Sequence, residues 1–151
     1  ESTQIGHKMF YLKTIGDFEF YIFDTGASVK RYLGTDENPQ VPAYIKAVPF
    51  PLGENTEAIM LPVEKIGKTA FRGMEHVKTV SLPEGIIRIR DGAFKGSGLT
   101  EFVAPASLLS VGDEAFADCP RLEKVILPET IFQVGEKILE NSPLSVLEYK
   151  K

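Results

Sequence analysis

Through the second half of the chain, apolar residues return in a fixed order with polar ones between them. Leu82-Pro83, Ala104-Pro105 and Leu127-Pro128 are each followed three residues later by an aliphatic, at Ile86, Leu108 and Ile131. Three further on comes another, at Ile89, Val111 and Val134, and Ala93-Phe94, Ala115-Phe116 and Ile138-Leu139 close the unit. The prolines lie 22 and 23 residues apart, each 11 residues ahead of its Phe or Leu. A period of this length predicts stacked supersecondary units, each burying its apolar face against the next.

The spacing inside a unit predicts its parts. In Leu122-x-x-Val125-x-Leu127 the last two aliphatics share one face of a strand. Proline then ends the ladder, because it offers no N–H. The paired aliphatics after it face inward from a second extended segment. Gly67, Gly112 and Gly135 follow and are expected to permit a tight turn. Lys68-Thr-Ala-Phe71, Asp91-Gly-Ala-Phe94 and Asp113-Glu-Ala-Phe116 have room for one or two helical turns, with each Asp where an N-cap would sit. Met74, Ser97, Cys119 and Ser142 share one inward column.

Before the repeats, residues 1–40 form an N-terminal β cap in this reading, with the array over 41–151. Met9-Phe-Tyr-Leu12, Phe18-Glu-Phe-Tyr-Ile-Phe23 and Val29-Lys-Arg-Tyr-Leu33 are rich in aromatic and β-branched residues and predict a two- or three-stranded antiparallel meander. Phe18, Phe20 and Ile22 are expected on the face that closes the open end of the stack. Val41-Pro42-Ala-Tyr-Ile45 matches the repeat, but Pro42 and Phe71 are 29 residues apart, so about 18 residues are inserted near 47–64. Pro49-Phe-Pro51 and Gly53-Glu-Asn-Thr-Glu57 read as loop. Phe50, Leu52, Ile59 and Met60 are expected to pack part of it onto the array.

The pattern Leu-x-x-Val-x-Leu-Pro, x-x-Ile-x-x-Val-Gly-x-x-Ala-Phe-x-x-Cys, followed closely by residues 111–133, resembles the BspA-like branch of the leucine-rich repeats. The resemblance covers residues 66–149 well and 18–45 weakly. Arg90 in place of Gly, Ala104 in place of the strand Leu and Ile138-Leu139 in place of Ala-Phe depart from it. It implies an α/β fold: a right-handed leucine-rich-repeat solenoid with parallel strands and short helices. It also implies adhesion or protein binding at a cell surface, without a cofactor and with no catalytic residues.

Composition narrows the partners. A net charge of -4 argues against nucleic acid or an anionic membrane as the main one. One cysteine, Cys119, forms no internal disulfide, and no apolar run approaches a membrane span. The chain begins at Glu1 rather than Met, so an extracellular or cell-surface product with its leader removed is expected.

Candidate chemistry is sparse. Asp24-Thr25-Gly26-Ala27 resembles the aspartic-protease signature, which in a single copy requires a homodimer to bring two carboxylates together. Asp-x-Gly between two β-runs is more simply an ordinary hairpin turn, and the protease is the remote alternative. His7 and His76 stand at unrelated positions, as surface imidazoles do. The informative residues are outward ones: Ser81, Val103 and Ile126 on the strand side, and Ile87, Leu109 and Phe132 on the second side, where the resemblance implies polar residues. Ile87, Leu109, Phe132, Val103 and Ile126 are therefore the candidate binding residues. Three readings follow: a protein-binding or adhesion module using a solenoid face, a self-assembling protein pairing through Val146-Leu-Glu-Tyr149, and a dimeric aspartic protease centred on Asp24.

Overall fold

In the computed structural model, residues 2–5, 8–53 and 57–151 are described. His7 and part of the Gly53–Glu57 stretch lie outside them. The chain opens with an antiparallel meander of four strands, β1 (Ser2–Ile5), β2 (Lys8–Ile15), β3 (Phe18–Ile22) and β4 (Ala27–Tyr32). The first of these is too polar to signal a strand by itself and is held by pairing with β2. Alternation in β3 works as expected: Phe18, Phe20 and Ile22 are buried, while Glu19 and Tyr21 are half-buried on the other face.

From β4 onward the backbone becomes a parallel solenoid. β5 (Tyr44–Ala47) and β6 (Ile59–Ile66) pair as an antiparallel hairpin. The distal half of β6 then enters a parallel sheet with β4, β7 (Arg88–Ile89), β9 (Ser110–Val111) and β11 (Gln133–Val134). A second parallel sheet is built by β8 (Glu101–Val103), β10 (Lys124–Pro128) and β12 (Glu148–Lys150). A bridge between Gln40 and Ser81 extends this second wall toward the cap. Four coils result, covering residues 63–82, 86–104, 108–127 and 131–149. Residues 27–41 precede them with a rung in each wall.

The inserted segment is therefore partly strand. Its register places Val63 and Ile66, not Ile45, in line with Ile86 and Ile89. Ile45, Ala47 and Leu61 are buried beneath the hairpin. Phe50 packs against the core, so part of the insertion lies on the array as expected, while Leu52, Ile59 and Met60 are exposed.

The interior is one continuous core in which equivalent residues stack coil on coil. Phe94 lies parallel to Phe71 at 5.1 Å and to Phe116 at 5.3 Å, and Tyr32 of the cap continues this ladder over Phe71 at 5.7 Å. All four rings are essentially buried. Leu139 ends the ladder half-buried, as do Ile131 and Val134 in their columns.

No helix forms among the described residues, which corrects the expected one- or two-turn helices. The third side of each coil is instead a series of turns broken by left-handed backbone, once in coil one and twice in each of the other three. Gly92, Glu114 and Lys137 share one such position, and Gly73, Gly96, Asp118 and Asn141 the other. A left-handed residue interrupts the helical hydrogen-bond series and turns its amide toward the neighbouring coil. The amides of Gly92, Phe94 and Gly96 accordingly donate to carbonyls of Asp113, Ala115 and Ala117 at 2.9–3.0 Å, and the next coil repeats the pattern.

Candidate protein-binding surfaces

Inward residues hold the stack, so binding chemistry must come from outward columns. On the wall of β8, β10 and β12, Ser81, Val103 and Ile126 form one outward column, as expected. Val103 is 49% exposed, Ile126 is half-buried, and Glu148 continues the column. A groove of ≈ 630 Å³ runs along this wall into the corner after the prolines. Val103, Ala104, Ala106, Ile126 and Leu127 supply its apolar lining, and Glu84, Glu129, Lys150 and Lys151 border it. The corner residues were not singled out from the sequence, because only the bend after Pro105 and Pro128 swings Ala106 and Thr130 alongside the strand column. Pro128 itself stays within β10, and the Glu129 amide still reaches Lys150 O at 2.8 Å.

Ile87, Leu109 and Phe132 lie on the other wall. The amides of Leu109 and Phe132 donate to Ile87 O and Leu109 O, so the three residues stack as a column beginning at Glu64. Exposure rises along it, from half-buried Ile87 through Leu109 to Phe132 at 77%. The five candidate residues therefore divide between two walls and do not line one pocket. Leu109 and Phe132 stay exposed with the hairpin of β5 and β6 in place.

Beside that column is a polar trough of ≈ 300 Å³, lined by Arg88, Arg90, Asp91, Asp113 and Gln133 over Gly112 and Gly135. Its geometry explains the glycines differently from the sequence reading. Neither Gly112 nor Gly135 has positive φ; each is there because a neighbouring coil approaches. A Cβ on Gly112 would collide with Asp91 Oδ1 and lie 2.5 Å from the Asp91 amide nitrogen. One on Gly135 would lie 2.5 Å from Asp113 Oδ1. The carboxylates are fixed there because Asp91 Oδ1 accepts the Asp113 amide and Asp113 Oδ1 accepts the Glu136 amide, both at 2.8 Å. Where the preceding coil carries Lys68, no carboxylate fills this space, and the following position is Arg90 instead of glycine.

The remaining candidates are structural. Asp24 and Thr25 are exposed at the turn between β3 and β4, closed by the Phe23 amide donating to Gly26 O at 2.9 Å. His76 stacks on Tyr32 and its Nε2 lies 3.2 Å from Gly34 O. Cys119 is fully buried; its Sγ donates to Phe94 O at 3.2 Å, and burial pushes its thiol pKa up, which keeps it protonated and unreactive. Ser142 repeats this bond one coil on, to Phe116 O at 2.7 Å. Among the described residues no group of His, Cys, Asp and Glu could hold a metal ion, and no helix is long and apolar enough to cross a membrane.

Comparison with known proteins agrees with this architecture. A family model described as a BspA type leucine-rich repeat region of six copies matches residues 45–151. A leucine-rich repeat protein from Bacteroides capillosus ATCC 29799 superposes with a TM-score of 0.77 at 24% identity, covering 93% of this chain and 99% of its own. A leucine rich cell surface protein from Faecalibacterium prausnitzii A2-165 gives 0.66 at 20% identity over 93% of this chain and 43% of its own. The pneumococcal vaccine antigen PcpA gives 0.54 at 19% identity over 100% of this chain and 50% of its own. The chain thus spans nearly all of the first structure and half or less of the other two. No curated protein sequence matches it. At these identities the superpositions show a shared fold, whereas the repeat match extends over most of the sequence. With its period, its stacked Phe column and its two parallel walls, this chain belongs to the BspA-type leucine-rich repeat family.

Proposed function

We propose that the chain is a non-enzymatic protein-binding module, acting outside the cell or at a cell surface, that engages its partner through the wall of β8, β10 and β12. The observation that carries this is the apolar groove along Val103 and Ile126, a concave surface that the solenoid's own packing does not fill. The printed description of the Faecalibacterium neighbour as a cell surface protein supports the location. Fully covering a Val or Ile side chain contributes about 1.5–3 kcal/mol, so a partner seated in the groove depends on both residues.

Biolayer interferometry against a panel of purified extracellular proteins tests the reading. Saturable binding to at least one member is expected, weakened at least about tenfold by Val103→Glu with Ile126→Glu while the thermal midpoint holds. Absence of binding across the panel, or equal binding by the variant, refutes it. A second reading, self-association by strand addition at β12, is favoured by the outer edge of that strand and by exposed Val146 and Tyr149. Its test is loss of self-association on Tyr149→Pro.

A further inference from the structure

The wall of β6, β7, β9 and β11 carries two features that its role in the stack does not require. One is the apolar Ile87–Leu109–Phe132 column. The other is a separation of charge along the solenoid axis. Over the second wall and its turn side, coils one and two present Lys65, Lys68, Arg72, Arg88, Arg90 and Lys95 against Glu64, Glu75 and Asp91. Coils three and four present Asp113, Glu114, Asp118, Glu136 and Glu140 against Arg121 and Lys137. On a protein of net charge -4, the cations are thus concentrated at one end of this surface.

We infer that this wall is a self-association surface that pairs with the same wall of a second copy, the two solenoids running antiparallel about a two-fold axis parallel to the strands and passing between β7 and β9. A charge gradient of this kind selects its own orientation. Two copies in parallel would set cations on cations and anions on anions. Reversal sets coil two opposite the partner's coil three and coil one opposite its coil four, while each column faces its own counterpart.

Most of the charges that then meet are complementary, while Phe132 lies against the partner's Glu64. Lys68 faces the partner's Glu136; both are exposed, and among the described residues neither side chain makes an ion pair. Leu109 faces the partner's Ile87. Arg90, the one side chain in a column otherwise made of glycines, faces the partner's Gly112, where nothing fills the trough, and reaches its Asp113. Asp91 faces the partner's Asp113, a like-charge contact with Arg90 beside it. The principle already operates within the chain, where Lys95 of coil two bonds Glu114 of coil three at 2.8 Å.

Size sets the strength. Four coils at about 4.8 Å per strand make a face roughly 19 Å tall. With about six wall residues per coil at about 3.3 Å each, the face covers roughly 400 Å², smaller than the ~800 Å² per partner of a stable complex. The dimer is therefore weak and dependent on ionic strength.

Sedimentation velocity across a protein concentration series tests this, at about 0.1 M and about 1 M salt, where the Debye length falls from about 10 Å to about 3 Å. A reversible dimer is expected at low salt, with its dissociation constant raised at least about tenfold at high salt. Lys68→Glu and Glu136→Lys should each abolish it without changing the circular dichroism or the thermal midpoint. Their equimolar mixture should restore a dimer, because each contact then joins opposite charges. A wild-type chain that stays monomeric at every concentration overturns the inference, as does a dimer that survives both single substitutions or a mixture that remains monomeric. A dimer lost on Tyr149→Pro but not on Lys68→Glu is strand-edge pairing and also overturns it.

Discussion

Gly112→Ala probes the contact by which one coil seats on the next. The added Cβ meets Asp91 Oδ1, the Asp91 amide nitrogen at 2.5 Å and the Arg90 carbonyl carbon at 2.8 Å. The carboxylate can swing away only by releasing the Asp113 amide it accepts at 2.8 Å, and the backbone atoms yield only if the coils separate. Overpacking of this kind costs about 1–3 kcal/mol, and the two backbone contacts place Gly112→Ala in the upper part of that range. Asp91→Ala alone loses one charge-assisted bond at an exposed amide that water can reach, about 1 kcal/mol. In the double variant the clash with Oδ1 and the cost of displacing it no longer arise twice, so the two effects should fall short of additivity by about 0.5–1 kcal/mol. Urea unfolding followed by circular dichroism, on all four proteins, measures the coupling. Additive effects, or a Gly112→Ala variant within about 0.5 kcal/mol of wild type, would refute the account of why glycine recurs there and why Arg90 follows Lys68.

Phe94→Ala, in the middle of the ring ladder, should cost about 3–5 kcal/mol in the same assay, whereas Phe132→Ala, 77% exposed, should stay within about 0.5 kcal/mol. Cys119→Ser should be tolerated within about 1 kcal/mol, because a hydroxyl can donate to Phe94 O as Ser142 does to Phe116 O, while Cys119→Val removes that bond, leaves Phe94 O only the Ser97 amide at 3.1 Å, and should cost about 0.5–1.5 kcal/mol. Burial raises the pKa of Cys119, and of Tyr11 and Tyr32, so the folded state holds these protons more tightly than the unfolded one. Their contribution to stability is complete below the ordinary thiol and phenol values of about 8.5 and about 10, and is lost as pH rises through the folded values. Thermal midpoints measured upward from about pH 8 should therefore fall, and a midpoint that stays level to about pH 11 would contradict this.

Much of the fold was legible because a stack repeats its environment. Each inward column meets the same neighbours in every coil, so the period alone identified Ile86, Ile89, Phe94, Leu108, Val111 and Phe116 as core, and all are buried. The outward columns followed by elimination. The helices were misjudged because the signal that breaks them is weak in sequence: Glu114 and Lys137 adopt left-handed backbone where glycine would have announced it. The groove was only half legible. Val103 and Ile126 belong to a column, but Ala106 and Lys150 join them through a bend and a strand pairing between segments 22 residues apart.

The sequence by itself determined the period, the identity of the buried columns, the presence of a β cap and the family resemblance. These depend on local spacing and on the requirement that apolar faces be covered. Only the tertiary structure decided how the coils seat on one another. Gly112 and Gly135 serve close approach and not turning, the inserted segment is a hairpin whose second strand becomes the first full rung, and the five outward apolar residues divide between two walls. Each of these depends on which backbone atoms lie within a few ångströms across coils, a distance that residue spacing along a single coil does not contain.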